Sequence, residues 1–177
     1  MEIQDLALEG LKLIKSKVFY DERGFFKEHY RKSAYEKKGI FCEFVQDNHS
    51  FSKKGIIRGM HFQRSPGQAK LISVVEGKIY DVAVDIRPES TTYGKWEGVY
   101  LDAEDHLQFF VPVGFAHGFC VVSERAHVIY KVSSVFNPEE EKTFRFDDAQ
   151  IGIKWPVENP ILSSRDCAAP SFQEVFS

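Results

Sequence analysis

Short apolar runs bounded by turn residues recur at roughly eight to twelve residue spacing through the middle of this chain, with no helix-length segment between them. That pattern excludes a parallel sheet built from alternating strands and helices and predicts an all-β sandwich or barrel. Residues Gly10–Tyr20 alternate imperfectly and predict a strand, Asp21–Gly24 a turn, and Phe25–Tyr30 a second strand. Ser33-Ala-Tyr-Glu36 matches a capping box, with Gly39 placed to end the one substantial helix expected before the C-terminal region. Phe41–Asn48 predicts the next strand, and Lys70–Ile86 a hairpin turning at Glu76 and Gly77. In the second arm of that hairpin Tyr80, Val82, Val84 and Ile86 share one face and Asp81 and Asp85 the other, which predicts a core on one side only. Glu97–Leu101, Leu107–Val111 and Ala126–Ser133 continue the series, the last with Ala126, Val128, Tyr130 and Val132 on one face. Pro112–Gly118 reads as a tight connection presenting His117. From Phe136 onward the chain is acidic and irregular, and the tail is expected to pack across the strands as an extended cover.

At 177 residues there is enough chain for one good core, so residues 1–177 are read as a single domain. The 23 basic and 26 acidic side chains are scattered and leave a net charge of −3, which offers no electrostatic stripe for a nucleic-acid backbone. No nucleic-acid partner is expected. No basic segment followed by an apolar core opens the sequence, and no run approaches the roughly 18 apolar residues of a membrane span, so neither membrane association nor export is expected and a cytoplasmic location is. Cys42, Cys120 and Cys167 are odd in number, far apart and without CxxC spacing, as reduced thiols would be.

The chemistry concentrates around Gly55-Ile-Ile-Arg-Gly-Met-His-Phe-Gln63, an apolar strand carrying one cation and one imidazole. Strict alternation would put Arg58 and His61 on opposite faces. A bulge at Gly59, with one extra residue, would turn both toward the same cavity. With Lys70, His117 and Tyr130 on other strands or their ends, Arg23 and Arg58 as anion contacts and Asp166 in the tail, the inventory suits proton transfer: a base titrating near neutrality, a phenol to donate, and cations for an oxyanion or phosphate. Taken singly, each residue has a plainer use: a strand histidine or tyrosine as a hydrogen-bonded part of the sheet, Arg23 and Glu28 as surface charges, Gln46, Asp47 and Asn48 as a turn. No GxSxG elbow, GxGxxG or P-loop occurs, which excludes a serine hydrolase of that class and tightly held nucleotide cofactors of those classes. Pro112-x-Gly114-x-x-His117 resembles the second motif of metal-binding cupins, but the His-x-His of the first motif stands here as His61-x-Gln63. The missing ligand favours a pocket without metal over a cupin metalloenzyme.

Seven separated motifs occur in the order and spacing of one family: Arg23-Gly-Phe-Phe-x-Glu28, Gln46-x-Asn48, Arg58-Gly-Met-His61-Phe-Gln63, Lys70 with Glu76 to Arg87, Val111 to Phe119, Tyr130-Lys131, and Leu162-Ser-x-x-Asp166. The chain resembles the dTDP-4-dehydrorhamnose 3,5-epimerases from about residue 10 to residue 170. The resemblance implies a cupin-type β jelly roll, a homodimer, and epimerisation of a dTDP-linked 4-keto-6-deoxyhexose without metal or organic cofactor. By motif position it implies His61 as the base, Asp166 as the carboxylate that orients it, Lys70 as the stabiliser of an enolate oxygen and Tyr130 as the acid on the other face. It assigns substrate binding to Arg23, Glu28, Gln46, Asn48, Arg58, Gln63, His117, Phe136, Glu141 and Arg165, with Arg23 and Glu28 reaching a neighbouring subunit's site. Two positions depart from the family pattern: Phe136 replaces a tyrosine that stacks on thymine, and Arg165 replaces a lysine. Related enzymes that invert C3 alone share these motifs, so single inversion is the alternative within the family, and a sugar-nucleotide binding protein without activity is the alternative outside it.

Overall fold

The computed structural model describes residues 1–177 and contains thirteen strands and three short helices. One antiparallel sheet orders β1 (Glu2–Asp5), β2 (Lys12–Lys15), β10 (Leu107–Val111), β7 (Lys70–Glu76), β12 (Arg125–Val132) and β5 (Gln46–Lys53). A second orders β13 (Glu141–Thr143), β6 (Ile57–Gln63), β11 (Phe115–Val121), β8 (Lys78–Asp85) and β9 (Trp96–Asp102), and β3 (Val18–Asp21) with β4 (Gly24–Lys27) forms a separate hairpin. The two large sheets face each other as a cupin-type jelly roll. Ile72, Val74, Phe109 and Val128 of the six-stranded sheet bury against Ile79, Ala83, Leu101 and Phe119 of the five-stranded one. Each of these side chains except the small Ala83 contributes about 1.5–3 kcal/mol by leaving water.

The expected hairpin at Glu76 and Gly77 is not a hairpin. β7 pairs with β10 and β12, whereas β8 pairs with β11 and β9, so the chain changes sheets at this corner. Gly77 (φ +80°) makes the corner possible, since a Cβ there would lie 2.0 Å from the Arg125 carbonyl oxygen. β8 also has a core on both sides rather than one. Its Val82 and Val84 face Phe144, Ile151, Ile153 and Phe172 of the C-terminal region, while Asp81 and Asp85 lie fully buried on the inner face. The tail is thus the cover expected of it, although it includes α2 (Ser164–Cys167) and α3 (Phe172–Phe176) and is not wholly extended.

Other boundaries move as well. Gly10–Tyr20 divides at Ser16 and Lys17 into β2 and β3, which belong to different sheets. The helix α1 (Lys32–Glu36) is capped at Arg31 with no side-chain bond, so Ser33 lies within it and the expected box is not formed. Phe41–Val45 is not a strand; β5 begins at Gln46, which places Gln46 and Asn48 at a strand's start rather than its end. His117 sits within β11, all seven of whose residues are buried, and not on a connection. Glu141–Thr143 adds an edge strand that no periodicity announces.

The bulge expected at Gly59 is present. His117 pairs with His61 and Phe119 with Arg58, so three steps along β6 oppose two along β11. Only glycine fits there: φ is +132°, and a Cβ would stand 2.6 Å from Gly118 Cα. The extra residue brings Arg58 and His61 to one cavity.

Candidate active site

A cavity of about 200 Å³ opens between the two sheets at one end of the sandwich. It is smaller than the roughly 300–1,000 Å³ that encloses a drug-sized ligand, so it suits a sugar ring with the remainder of a larger ligand at its mouth. The six-stranded sheet contributes Asn48 and Ser50 from β5, Lys70 from β7 and Tyr130 from β12. The facing sheet contributes Arg58, His61 and Gln63 from β6, His117 and Phe119 from β11 and Glu141 from β13, and Gln68 and Phe136 close the rim. Alternation explains the selection, because His61 and Gln63, two apart, share the inner face of β6.

His61 is held from behind. Its Nε2 lies 2.6 Å from Asp166 Oδ1, and Ser163 Oγ donates to Asp166 Oδ2 at 2.9 Å while capping α2. Burial pushes the Asp166 carboxyl up, but the hydrogen bond and charge of His61, the Ser163 hydroxyl and Arg165 outweigh it and hold the group below its ordinary value. An ionised Asp166 accepts from Nε2–H, which in the neutral ring puts the lone pair on Nδ1.

Lys70 is 6% exposed, and burial lowers its ammonium to about 8 against the raising influence of Glu141 and Asp81. Tyr130, half-buried opposite, has its phenol pushed up by burial despite the nearby Arg58 charge, so it carries its proton at neutral pH. A second imidazole–carboxylate pair lies deeper. His117 Nε2 is 2.7 Å from Asp81 Oδ1, and the other Asp81 oxygen is buried without a partner. Burial raises the Asp81 carboxyl against the pull of His117 and Lys70. Sequence reasoning assigned Asp81 to an outer face and missed it; its shared face with Ile79 and Ala83, both buried, is the signal that pointed inward.

Of the remaining expected residues, Arg165 Nη1 donates to Glu141 Oε2 at the rim. Arg58 Nε donates to Ser52 Oγ at 2.9 Å, which ties β6 to β5. Gln46 lies behind Asn48 and donates to its Oδ1 at 2.7 Å. Arg23 and Glu28 stand apart from the cavity: Arg23 Nε donates to Asp21 at 3.1 Å in the β3–β4 turn, and Glu28 accepts from Arg31 at 2.8 Å. No three His, Cys, Asp or Glu side chains converge as metal ligands, since His61 and His117 each hold a carboxylate of their own and the third cupin position is Gln63.

A base on one sheet and a phenol on the other flank whatever enters between them, an arrangement for moving protons on and off opposite faces of a ring, and it defines the class as a cupin-type epimerase, an isomerase. A family model described as dTDP-4-dehydrorhamnose 3,5-epimerase matches residues 5–174. An enzyme of that description from Shigella flexneri is 45% identical over 174 residues, covering 97% of this chain and 96% of its own. One from Neisseria gonorrhoeae is 45% identical over 98% of this chain, which spans only 53% of that relative's length. The crystal structure of the Legionella pneumophila dTDP-6-deoxy-D-glucose-3,5-epimerase in complex with dTDP-4-keto-L-rhamnose superposes with a TM-score of 0.94 at 45% identity, covering 97% of this chain and 93% of that one. The chain belongs to the dTDP-4-dehydrorhamnose 3,5-epimerase family.

Proposed function

We propose that this protein inverts C3 and C5 of a dTDP-linked 4-keto-6-deoxyhexose, converting dTDP-4-dehydro-6-deoxyglucose to dTDP-4-dehydrorhamnose. The observation that carries the reading is the opposition of His61, backed by Asp166 at 2.6 Å, and Tyr130 on facing sheets. A C4 ketone acidifies the hydrogens on C3 and C5. His61 Nδ1 takes one of them, its charge supported by Asp166, and the electron pair passes to the C4 oxygen as an enolate. The Lys70 ammonium, which makes no hydrogen bond within the chain, stabilises that oxygen. Tyr130 then delivers a proton to the opposite face of the carbon and inverts it. His61 gives its proton to solvent and the Tyr130 phenolate takes one back, and the reset pair repeats the sequence at the second carbon. No step calls for a metal or an organic cofactor.

Asn48, Arg58, His117 and Glu141 line the cavity with donors and charges suited to a sugar diphosphate, and Phe136 at the rim suits a stacked pyrimidine. Arg165 and Gln46 act behind Glu141 and Asn48. Arg23 and Glu28 serve a neighbouring subunit's cavity in a homodimer. The support is the β3–β4 hairpin, whose Phe19, Tyr20, Phe25 and Phe26 are all more than half exposed. Light scattering at the mass of a single chain would contradict the dimer. Three free cysteines suit a reducing, cytoplasmic compartment.

The test is the product. Proton NMR of the dTDP-4-keto sugar after incubation is expected to show the ring couplings of a sugar inverted at both carbons. Couplings changed at C3 alone would make the protein a 3-epimerase, and an unaltered sugar would remove the assignment.

A further inference from the structure

Between β12 and β13 the chain crosses the cavity mouth as residues 134–137, with Phe136 on the cavity's rim. No strand lies beside this segment, so its backbone groups need partners of another kind. Three glutamine side chains stand in for a ladder. Gln68 Nε2 donates to the Ser134 carbonyl at 2.9 Å. Gln63 Nε2 donates to Ser134 Oγ at 3.0 Å and to the Val135 carbonyl at 3.4 Å, and its Oε1 accepts from the Asn137 N–H at 3.1 Å. Gln46 Oε1 accepts from the Phe136 N–H at 3.1 Å. Gln63 is the centre of the arrangement. It is 7% exposed, and both of its amide protons are committed to the segment, so it has no donor left for a ligand.

We propose that Gln63, with Gln46 and Gln68, is a positioning residue: it fixes residues 134–137 so that the Phe136 ring is a preformed platform for the pyrimidine base of the substrate. On this proposal Gln63 acts through Phe136 rather than on the substrate itself, and it rests on the reading of the ligand as a dTDP-sugar. The ends of the segment have other ties, since Ser134 Oγ donates to the Gly67 carbonyl at 2.8 Å and the Asn137 carbonyl accepts from the Glu140 and Glu141 N–H groups. At Val135 and Phe136 the bonds come from Gln63 and Gln46, so without Gln63 the ring-bearing stretch loosens and the cost of ordering it falls on ligand binding. The sugar and the groups that move its protons lie deeper, on regular strands that the tether does not hold. The clamp therefore governs affinity rather than the chemical steps. It also accounts for the glutamine at the position where metal-binding cupins carry a histidine: the side chain ties a loop.

The experiment compares Gln63→Leu, Phe136→Ala and the double variant by KM and kcat for dTDP-4-keto-6-deoxyglucose. Gln63→Leu is expected to raise KM about tenfold and to hold kcat within about twofold, as loss of uniform binding does. Phe136→Ala is expected to raise KM similarly, and the double variant to be no worse than Phe136→Ala alone, because Gln63 acts through Phe136. Multiplying KM effects, or a kcat loss at constant KM, would overturn the proposal. Should Gln63→Leu fold poorly, Gln63→Glu keeps the acceptor for the Asn137 N–H and loses the donors, and the same KM pattern is expected in weaker form. A wild-type protein inert toward the dTDP sugar would defeat the functional reading instead. The clamp then stands or falls on amide exchange at Phe136 and Asn137, expected to be faster in Gln63→Leu than in wild type, with equal rates overturning it.

Discussion

His61→Ala is expected to reduce turnover by about two to four orders of magnitude with the fold intact, the usual consequence of losing a general base. In the proposed reaction each inversion begins with abstraction of a proton beside the ketone, and the base assigned to that step is the His61 Nδ1 lone pair, on a ring that Asp166 holds at 2.6 Å on the cavity wall. The side chain faces the cavity rather than a core cluster, so truncation opens no buried void. Asp166 loses a donor but keeps the Ser163 hydroxyl at 2.9 Å and its own backbone contact to Ser163 Oγ at 3.1 Å. A variant keeping more than about a tenth of wild-type turnover would place the base elsewhere.

Lys70→Met is the second large effect, with an expected loss of about two to three orders of magnitude in kcat, the range for removing one oxyanion-stabilising group. Methionine fills a similar volume, so the loss reports charge rather than shape. The stability should move the other way. Burial of the ammonium costs stability that the charges of Glu141 and Asp81 only partly offset, and the variant is expected to unfold at the same temperature as wild type or higher. The pH dependence follows from the lowering of Lys70 to about 8. Wild-type kcat is expected to fall as pH rises through that value, since the enolate then loses its cation. Stability should rise over the same range: between about 8 and the unfolded value of 10.5 the unfolded chain holds the extra proton. A kcat profile flat from pH 7 to 9.5, or unchanged turnover in Lys70→Met, would remove Lys70 from the chemistry.

Much of this site is legible in the sequence. Arg58 and His61 could be assigned to one cavity from Gly59 alone, because alternation forbids the pairing and a bulge restores it. The inner-facing set Ala126, Val128, Tyr130 and Val132 follows from simple alternation, three of them packing in the core as Tyr130 reaches the cavity. What periodicity could not supply is contact between distant segments. The partner of His61 lies 105 residues away on a tail without repeats, and only the family resemblance pointed to Asp166 as that partner. The Glu76 and Gly77 turn failed for a related reason: a tight glycine turn within one sheet and a corner between two sheets look the same in sequence. Assigning that corner to a hairpin put Asp81 and Asp85 on a solvent face, whereas the C-terminal cover makes β8 a buried central strand. Pro112 and Gly114 suggested a loop for His117, although the turn they form ends before Phe115.

The central claim is that a base and an acid act from opposite walls, and deuterium incorporation with Tyr130→Phe tests it most directly. Wild-type protein in deuterated water is expected to place label at C3 and C5 of the inverted sugar. With the phenol gone, His61 still removes the proton and returns solvent label to the face it came from, so Tyr130→Phe should exchange at these carbons while configuration is retained. Inversion at near the wild-type rate in Tyr130→Phe, or loss of exchange and inversion together with His61 and its partner intact, would contradict the two-wall account.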